Sequence, residues 1–522
     1  MKTFTTTGVC TKENNYMVDI TDRIVKMKAM VDAGNYFTVT RGRQYGKTTT
    51  LTALAKFLKN EYVVISLDFQ NLDDGSFENG SIFTQALSQL MIDEYEFGGA
   101  EIPKIYIDAF EELCQKETAK VRMAEIFRIY KRWCRDSDKP IVLMIDEVDS
   151  ATNNQVFLDF LAMLREGFLA RTSKGAPAFR SVILAGVTDI KSLKRKIRPD
   201  EAHKFNSPWN IATDFNIDMS LPVEGITGML DEYENDHHTG MDTAKIAQEI
   251  YDYTSGYPFL VSRICQIIDT ELNTWSVSGI SEAVKHILQE KNTLFDSLMG
   301  KIYDNKPLSD ILQSILFSGE RIAYNPDSIS IMDGEMYSLL KTVNNGLTIS
   351  NRIFETRIYN YFLTQTELKN SPISVSGSES KEMIIENGHL NMDRLLEHYV
   401  TVFDDIYEGK ADSFSEEEGR RRFLLFIRPI INGTGNYYVE SRTRNNERMD
   451  IVIDYLGERF VVELKIWRGE AYHEKGEQQL ANYLDYYHLD KGYMLTYSFN
   501  KNKSTTLTKK TIQDKTLIEA FV

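Results

Sequence analysis

Cysteine is scarce in this chain of 522 residues, with only Cys10, Cys114, Cys134 and Cys265, all far apart. That spacing excludes a disulfide framework and a cysteine-based zinc site, and it predicts reduced thiols. The eight histidines also lack metal-ligand grouping: His237-His238 lies in a polar, Asp-rich stretch, which predicts solvation. No apolar run approaches the roughly 18 residues that a membrane-spanning helix needs, and Met1-Lys-Thr-Phe-Thr-Thr-Thr lacks the apolar core of a secretory signal. A cytoplasmic protein without membrane contact is therefore expected. A positive balance is missing too. The net charge of -16 argues against a cationic, sequence-blind coat for nucleic acid, so any such contact must come from a local patch helped by divalent metal.

What is present is ordinary globular material, 42% hydrophobic and 26% charged, in a length that suits two to four domains. Tyr36 to Thr40 is short, aromatic and β-branched, as a buried strand should be, and apolar residues at helical spacing follow Lys47. The intervening Arg41-Gly42-Arg43-Gln44-Tyr45-Gly46-Lys47-Thr48-Thr49 has the chemistry of a phosphate-binding loop. Gly46 allows close backbone approach to a phosphate, Lys47 reaches the β/γ-phosphates of ATP, Thr48 offers a hydroxyl to Mg²⁺, and the helix N-terminus points N–H groups at the anion. Arg41 occupies the position where the usual pattern has its first glycine, and the first glycine comes one residue later, at Gly42.

Tyr62 to Asp68, Ile141 to Ile145 and Ser181 to Val187 read as further strands, with amphipathic helices over Ser81 to Glu96 and Thr118 to Arg135. Strands alternating with helices imply a parallel sheet covered on both faces. The all-apolar strand ending in Asp146-Glu147 places two acids at the carboxyl end of a buried strand, where such sheets bind ligands. Asp146 is expected to hold Mg²⁺ and Glu147 to polarise the attacking water; taken alone, the pair would equally suit a helix cap. Thr188, after the Ser181 strand, is either a γ-phosphate sensor or a cap. Gly256-Tyr-Pro258 opens an apolar helix with proline in its first turn.

The loop Arg41 to Thr48, the Ile141 to Glu147 strand and Gly256-Tyr-Pro258 together resemble the AAA-ATPase-like proteins and the related archaeal-type STAND ATPases. The resemblance implies that the arginine-rich loop replaces the first glycine, that residues 226–300 form a helical lid carrying Pro258 against the nucleotide, and that a winged-helix-like domain occupies 301–368. That domain binds DNA in some relatives and is a packing module in others. Residues 1–225 are the expected ATPase core.

Residues 369–381, rich in serine with Pro and Gly, read as a linker. Beyond it, Arg448 to Trp467 reads as a β-hairpin turning near Leu456-Gly457, which sets Asp450 opposite Glu463. Glu463 and Lys465 share a strand face. Two carboxylates with a lysine can hold Mg²⁺ or Mn²⁺, lower the pKa of a bound water and stabilise a phosphodiester transition state; Glu-x-Lys alone would read as a surface ion pair. The constellation resembles the PD-(D/E)-x-K nuclease superfamily. That resemblance implies a restriction-endonuclease-like α/β domain over 382–522, Gln479 and Tyr483 on a helix beside the metal, and a further acid upstream, for which Glu418 is the candidate.

The expected protein is thus an α/β multidomain chain whose P-loop ATPase gates a metal-dependent nuclease on nucleic acid, DNA before RNA, with a homo-oligomer possible; the family resemblance alone implies a setting in defence or mobile-element biology. The rivals are an ATP switch whose nuclease-like domain docks without cutting, and a transcriptional regulator reading DNA through Arg352 and Arg357.

Overall fold

The computed structural model describes residues 2–152, 154–187, 209–318, 322–365, 371–407, 414–431, 434–439, 451–499 and 507–522. The chain divides into two compact units, 1–221 with 336–338, and 222–335 with 339–522. No helix among the described residues is long and apolar enough to cross a membrane.

The first unit is built on a four-stranded parallel sheet of β1 (Phe37–Thr40), β2 (Val63–Asp68), β3 (Ile141–Asp146) and β4 (Ser181–Gly186), in the order β1-β4-β3-β2. Its helices are α1 (Thr21–Asp32), α2 (Lys47–Leu58), α3 (Gly80–Asp93), α4 (Lys104–Gln115), α5 (Met123–Asp136) and α6 (Gln155–Lys174). Alternation along β3 explains the layering. Val142 and Met144 join a core with Met27, Leu51 and Leu54 of α1 and α2. Leu143 and Ile145 face the other way, into a larger core with Phe83, Phe110, Trp133 and Phe160 of α3 to α6. A strand buried on both faces is apolar along its length, and β3 is so from Ile141 to Ile145, with Asp146 at its carboxyl end.

The second unit begins with α7 (Val223–His237), α8 (Thr243–Thr254), α9 (Pro258–Ile267) and α10 (Val277–Gln289). Then come α11 (Thr293–Asp304), α12 (Lys306–Gln313), α13 (Ile329–Met336), the antiparallel pair β5 (Leu340–Val343) and β6 (Gly346–Ile349), and α14 (Arg352–Gln365). The linker reading fails over most of its length. Residues from Pro372 onward form α15 (Pro372–Ile384), with Ile373 and Ile384 fully buried. Gly377 lies so close to the next helix layer that an added Cβ would sit 2.1 Å from the Phe426 carbonyl oxygen. Tertiary packing overrides a composition poor in helix formers.

The remaining elements are the short pair β7 (Ile385–Glu386) and β8 (His389–Leu390), α16 (Met392–Tyr407), α17 (Glu416–Ile431), β9 (Gly435–Tyr438), β10 (Ile451–Tyr455), β11 (Glu458–Ile466), α18 (Glu470–Tyr486), β12 (Lys491–Tyr497), β13 (Leu507–Ile512) and β14 (Lys515–Phe521). Strands β9 to β14 form a six-stranded mixed sheet in the order β13-β14-β12-β11-β10-β9, parallel through β11, β12 and β14. Helix α18 connects β11 to β12, the crossover that parallel neighbours require. On the opposite face, Tyr497 donates its hydroxyl to the Gly419 carbonyl of α17 and pairs with the Tyr399 hydroxyl of α16 at 2.7 Å.

Candidate functional site

In the first unit, β4 lies between β1 and β3, so the loop leaving β1 and the acids ending β3 flank one crevice at the carboxyl edge of the sheet. Gly46 takes a left-handed φ of 77° and starts α2, a backbone state that favours glycine. The Lys47 ammonium is buried and donates to the carbonyls of Arg41 (3.1 Å) and Gly42 (3.0 Å). Burial lowers its pKa, opposed by the nearby charges of Glu147, Asp149 and Asp146. The Thr48 hydroxyl donates to Asp146 Oδ2 at 2.7 Å, joining loop and β3 terminus directly. Glu147 has a left-handed φ of 51°, and burial raises its pKa against the pull of Lys47.

Several loop residues have structural partners. The Arg41 guanidinium donates to the carbonyls of Thr40 and Ile217 and lies over the Phe215 ring, so it is the Arg41 carbonyl that faces Lys47. Thr49 accepts a hydrogen bond from the Cys10 amide, and Tyr45 packs against the core under α1 and α2. Arg43 is exposed. Gln44 has a φ of 56°, and its buried Oε1 makes no hydrogen bond. Thr188 lies outside the described residues. Sequence reasoning missed Asp149, whose Oδ2 accepts the Val187 amide at 2.5 Å and so fixes the end of β4 beside the crevice. Its place in the run Asp146-Glu147-Val148-Asp149 was the available signal. The residues fit Mg-ATP: a buried cation held only by carbonyls, an orphaned amide oxygen, and a hydroxyl–carboxylate pair at one helix N-terminus.

A model of an AAA-like domain matches residues 10–362. The chain belongs to the AAA-like domain family. Its α/β fold with a P-loop ATPase-type, nucleotide-binding first unit follows from that membership and from the sheet and loop just described. Among solved structures this AAA-like protein resembles the Walker-type ATPase of Pyrococcus abyssi at 12% identity and a TM-score of 0.47, covering 68% of this chain and 99% of that one. It also resembles the Cdc6p protein of Pyrobaculum aerophilum (13% identity, TM-score 0.33, 69% and 97% covered) and the ORC2 protein of Aeropyrum pernix (10%, 0.37, 66% and 93%). A search of curated proteins returned no match.

In the second unit, Pro258 is the first residue of α9, after Gly256 with a φ of 72°. The hairpin β10–β11 turns at Leu456-Gly457, both with positive φ (48° and 85°), the geometry of a type I′ turn. Its register sets Ile451 opposite Val462, the pair adjoining Glu463; Asp450 lies outside the described residues. Glu463 is fully buried, and Lys465 Nζ stands 2.7 Å from its Oε1. Helix α18 covers them closely: a Cβ at Gly476 would meet Lys465 Cε at 3.1 Å. Gln479 donates to the Tyr483 hydroxyl at 3.0 Å. Glu418 is engaged by Arg421 and Arg422 on its own helix. Glu416 is instead the α17 acid that reaches β11, accepting from the Ile466 amide and the Tyr472 hydroxyl.

The two arginines that a DNA-reading winged helix would present are occupied internally. Arg352 donates to the Tyr487 hydroxyl and lies over the Tyr253 ring. Arg357 donates to the carbonyls of Leu288 and Glu290 and lies over Phe295. Sequence reasoning also missed a buried network: Asp454 accepts from Tyr253 (2.6 Å) and Arg459 (2.8 Å), and Arg459 also reaches Glu249 (2.8 Å). It ties α8 of the expected lid to the hairpin carrying Glu463.

Proposed function

We propose that this chain binds and hydrolyses ATP and uses the nucleotide state to gate a metal-dependent nuclease domain acting on nucleic acid, DNA before RNA. The observation that carries the ATPase half is the Thr48–Asp146 hydrogen bond at the carboxyl edge of the parallel sheet. Lys47, with the loop amides, would bind the β/γ-phosphates, and Thr48 and Asp146 would hold Mg²⁺. Magnesium would neutralise charge on the phosphates. Glu147, whose pKa is raised by burial, would accept a proton from the attacking water. We read Pro258 as part of the lid and Thr188 as a sensor on the family resemblance alone.

The nuclease half is supported by a buried Glu463 beside Lys465 under α18, with Gln479 and Tyr483 bonded on that helix. Glu463 and Asp450 would hold Mg²⁺ or Mn²⁺, and Lys465 would orient the water or steady the developing charge. Gating finds support in the Asp454–Arg459–Glu249 network, because a movement of α8 would be transmitted to the hairpin through buried charge pairs. The internal use of Arg352 and Arg357 weighs against the DNA-reading regulator.

The test is incubation of the full chain with single- and double-stranded DNA and RNA, with Mg²⁺ or Mn²⁺, with and without ATP. Cleavage that disappears in Glu463→Gln and changes in Lys47→Ala supports the reading. ATP binding without cleavage of any substrate replaces it with a switch that docks and does not cut.

A further inference from the structure

A second cluster of chemically capable side chains lies under α18, two strands from the Glu463–Lys465 pair. His473 and Glu477 are one turn apart on α18 and meet Glu519 of β14; all three are buried, and one ligand atom from each lies within 4.8 Å of the others. Glu463, Met494 and Glu519 are in register across β11, β12 and β14, so they share a sheet face. At about 4.8 Å per strand, Glu519 is about 10 Å across the sheet from Glu463.

The cluster is more than a group of acids. His473 Nε2 is 2.8 Å from Glu519 Oε1 and 3.5 Å from Glu477 Oε1. Glu519 Oε1 also accepts from the Thr496 hydroxyl at 2.9 Å, whereas His473 Nδ1 and Glu519 Oε2 make no hydrogen bond. The Trp467 and Phe521 rings flank the imidazole at 5.0 and 5.6 Å. A buried imidazole between aromatic rings with Nδ1 unpartnered, beside a carboxylate with one oxygen unpartnered, is costly unless something fills the space they face. Two ligands bound at about 2.0–2.2 Å with tetrahedral to octahedral angles stand roughly 2.8–3.6 Å apart, a range that includes both observed separations. One imidazole with two carboxylates and no thiolate suits Zn²⁺, Mn²⁺ or Fe²⁺ better than Ca²⁺ or Mg²⁺.

Lys510 supplies the competing account. Its ammonium is 2.6 Å from Glu477 Oε1 and 3.8 Å from Glu519 Oε2, on a side chain about half exposed. It can neutralise the cluster as an ion pair, and it can also swing into solvent when a divalent ion enters.

We propose that His473, Glu477 and Glu519 form a binding site for a divalent transition-metal ion, separate from the Glu463 site and independent of whether this chain is a nuclease. The experiment uses the full chain, stripped with chelator and carrying Glu463→Gln to remove the hairpin site, dialysed against Zn²⁺, with Co²⁺ visible absorption as the spectroscopic readout. About one Zn²⁺ per chain is expected, with affinity at least tenfold weaker in added His473→Ala or Glu519→Gln. The isosteric Glu519→Gln guards against misfolding, which circular dichroism checks. Lys510→Met removes the competing cation and is expected to retain or tighten binding. No Zn²⁺ uptake by the Glu463→Gln chain overturns the site, as does full occupancy in folded His473→Ala and Glu519→Gln.

Discussion

Arg459 of β11 and Glu249 of α8, 210 positions apart in sequence, meet at 2.8 Å. The same guanidinium reaches Asp454 at 2.8 Å, and the three side chains are between 5% and 14% exposed. Removing Arg459 leaves two acids buried without their cation. Arg459→Met is therefore expected to destabilise the second unit by about 3–5 kcal/mol, read by chemical denaturation. The Arg459→Met/Asp454→Asn double variant should recover part of that loss, because it removes a stranded charge.

Hydrolysis should respond to acid through Glu147. Its pKa is raised mainly by burial and further by Asp146, Asp149 and Asp68, so the carboxylate protonates above the ordinary Glu range, and ATPase activity falls as pH drops through that point. Asp68→Asn removes one repelling charge while keeping the oxygen that caps the Gln70 amide. The acid limb of the rate profile should move to lower pH. Glu147→Gln should bind ATP and hydrolyse it about 10²-fold or more slowly.

Gly377→Ala tests the helix that replaced the linker. The added methyl would collide with backbone of α17, so the two helices must separate. A loss of about 1–3 kcal/mol is expected, seen as a lower thermal midpoint and faster proteolysis near residues 371–384. An unpacked linker would show neither.

Leu456 is exposed and holds a φ of 48° in a turn whose geometry favours Asn-Gly. Leu456→Asn should stabilise the hairpin by about 1 kcal/mol, measured as slower amide exchange along β10 and β11.

Local signals in the sequence exposed some of this architecture. The phosphate loop and Asp146 were legible because a strand, a glycine and a helix follow one another within a few residues. The hairpin was legible because its alternation and its turn are contiguous. Helix α15 was not, since Ser, Gly and Pro advertise a linker and only the close approach of α17 makes the helix stable. Asp454 looked like one more strand residue because Tyr253 and Glu249 lie some two hundred positions upstream. Glu416 was passed over for Glu418 because nothing in a run of three acids says which one the helix turns toward β11.

Met494 stands in register between Glu463 and Glu519 and is fully buried. Its thioether side chain separates two buried carboxylates, each with its own neighbouring cation, Lys465 for one and Lys510 for the other. The spacer keeps the two acids from sharing one ligand, but across about 10 Å of poorly screening interior their charges still act on each other by about 1–2 kcal/mol, so neutralising one acid eases the ionisation of the other.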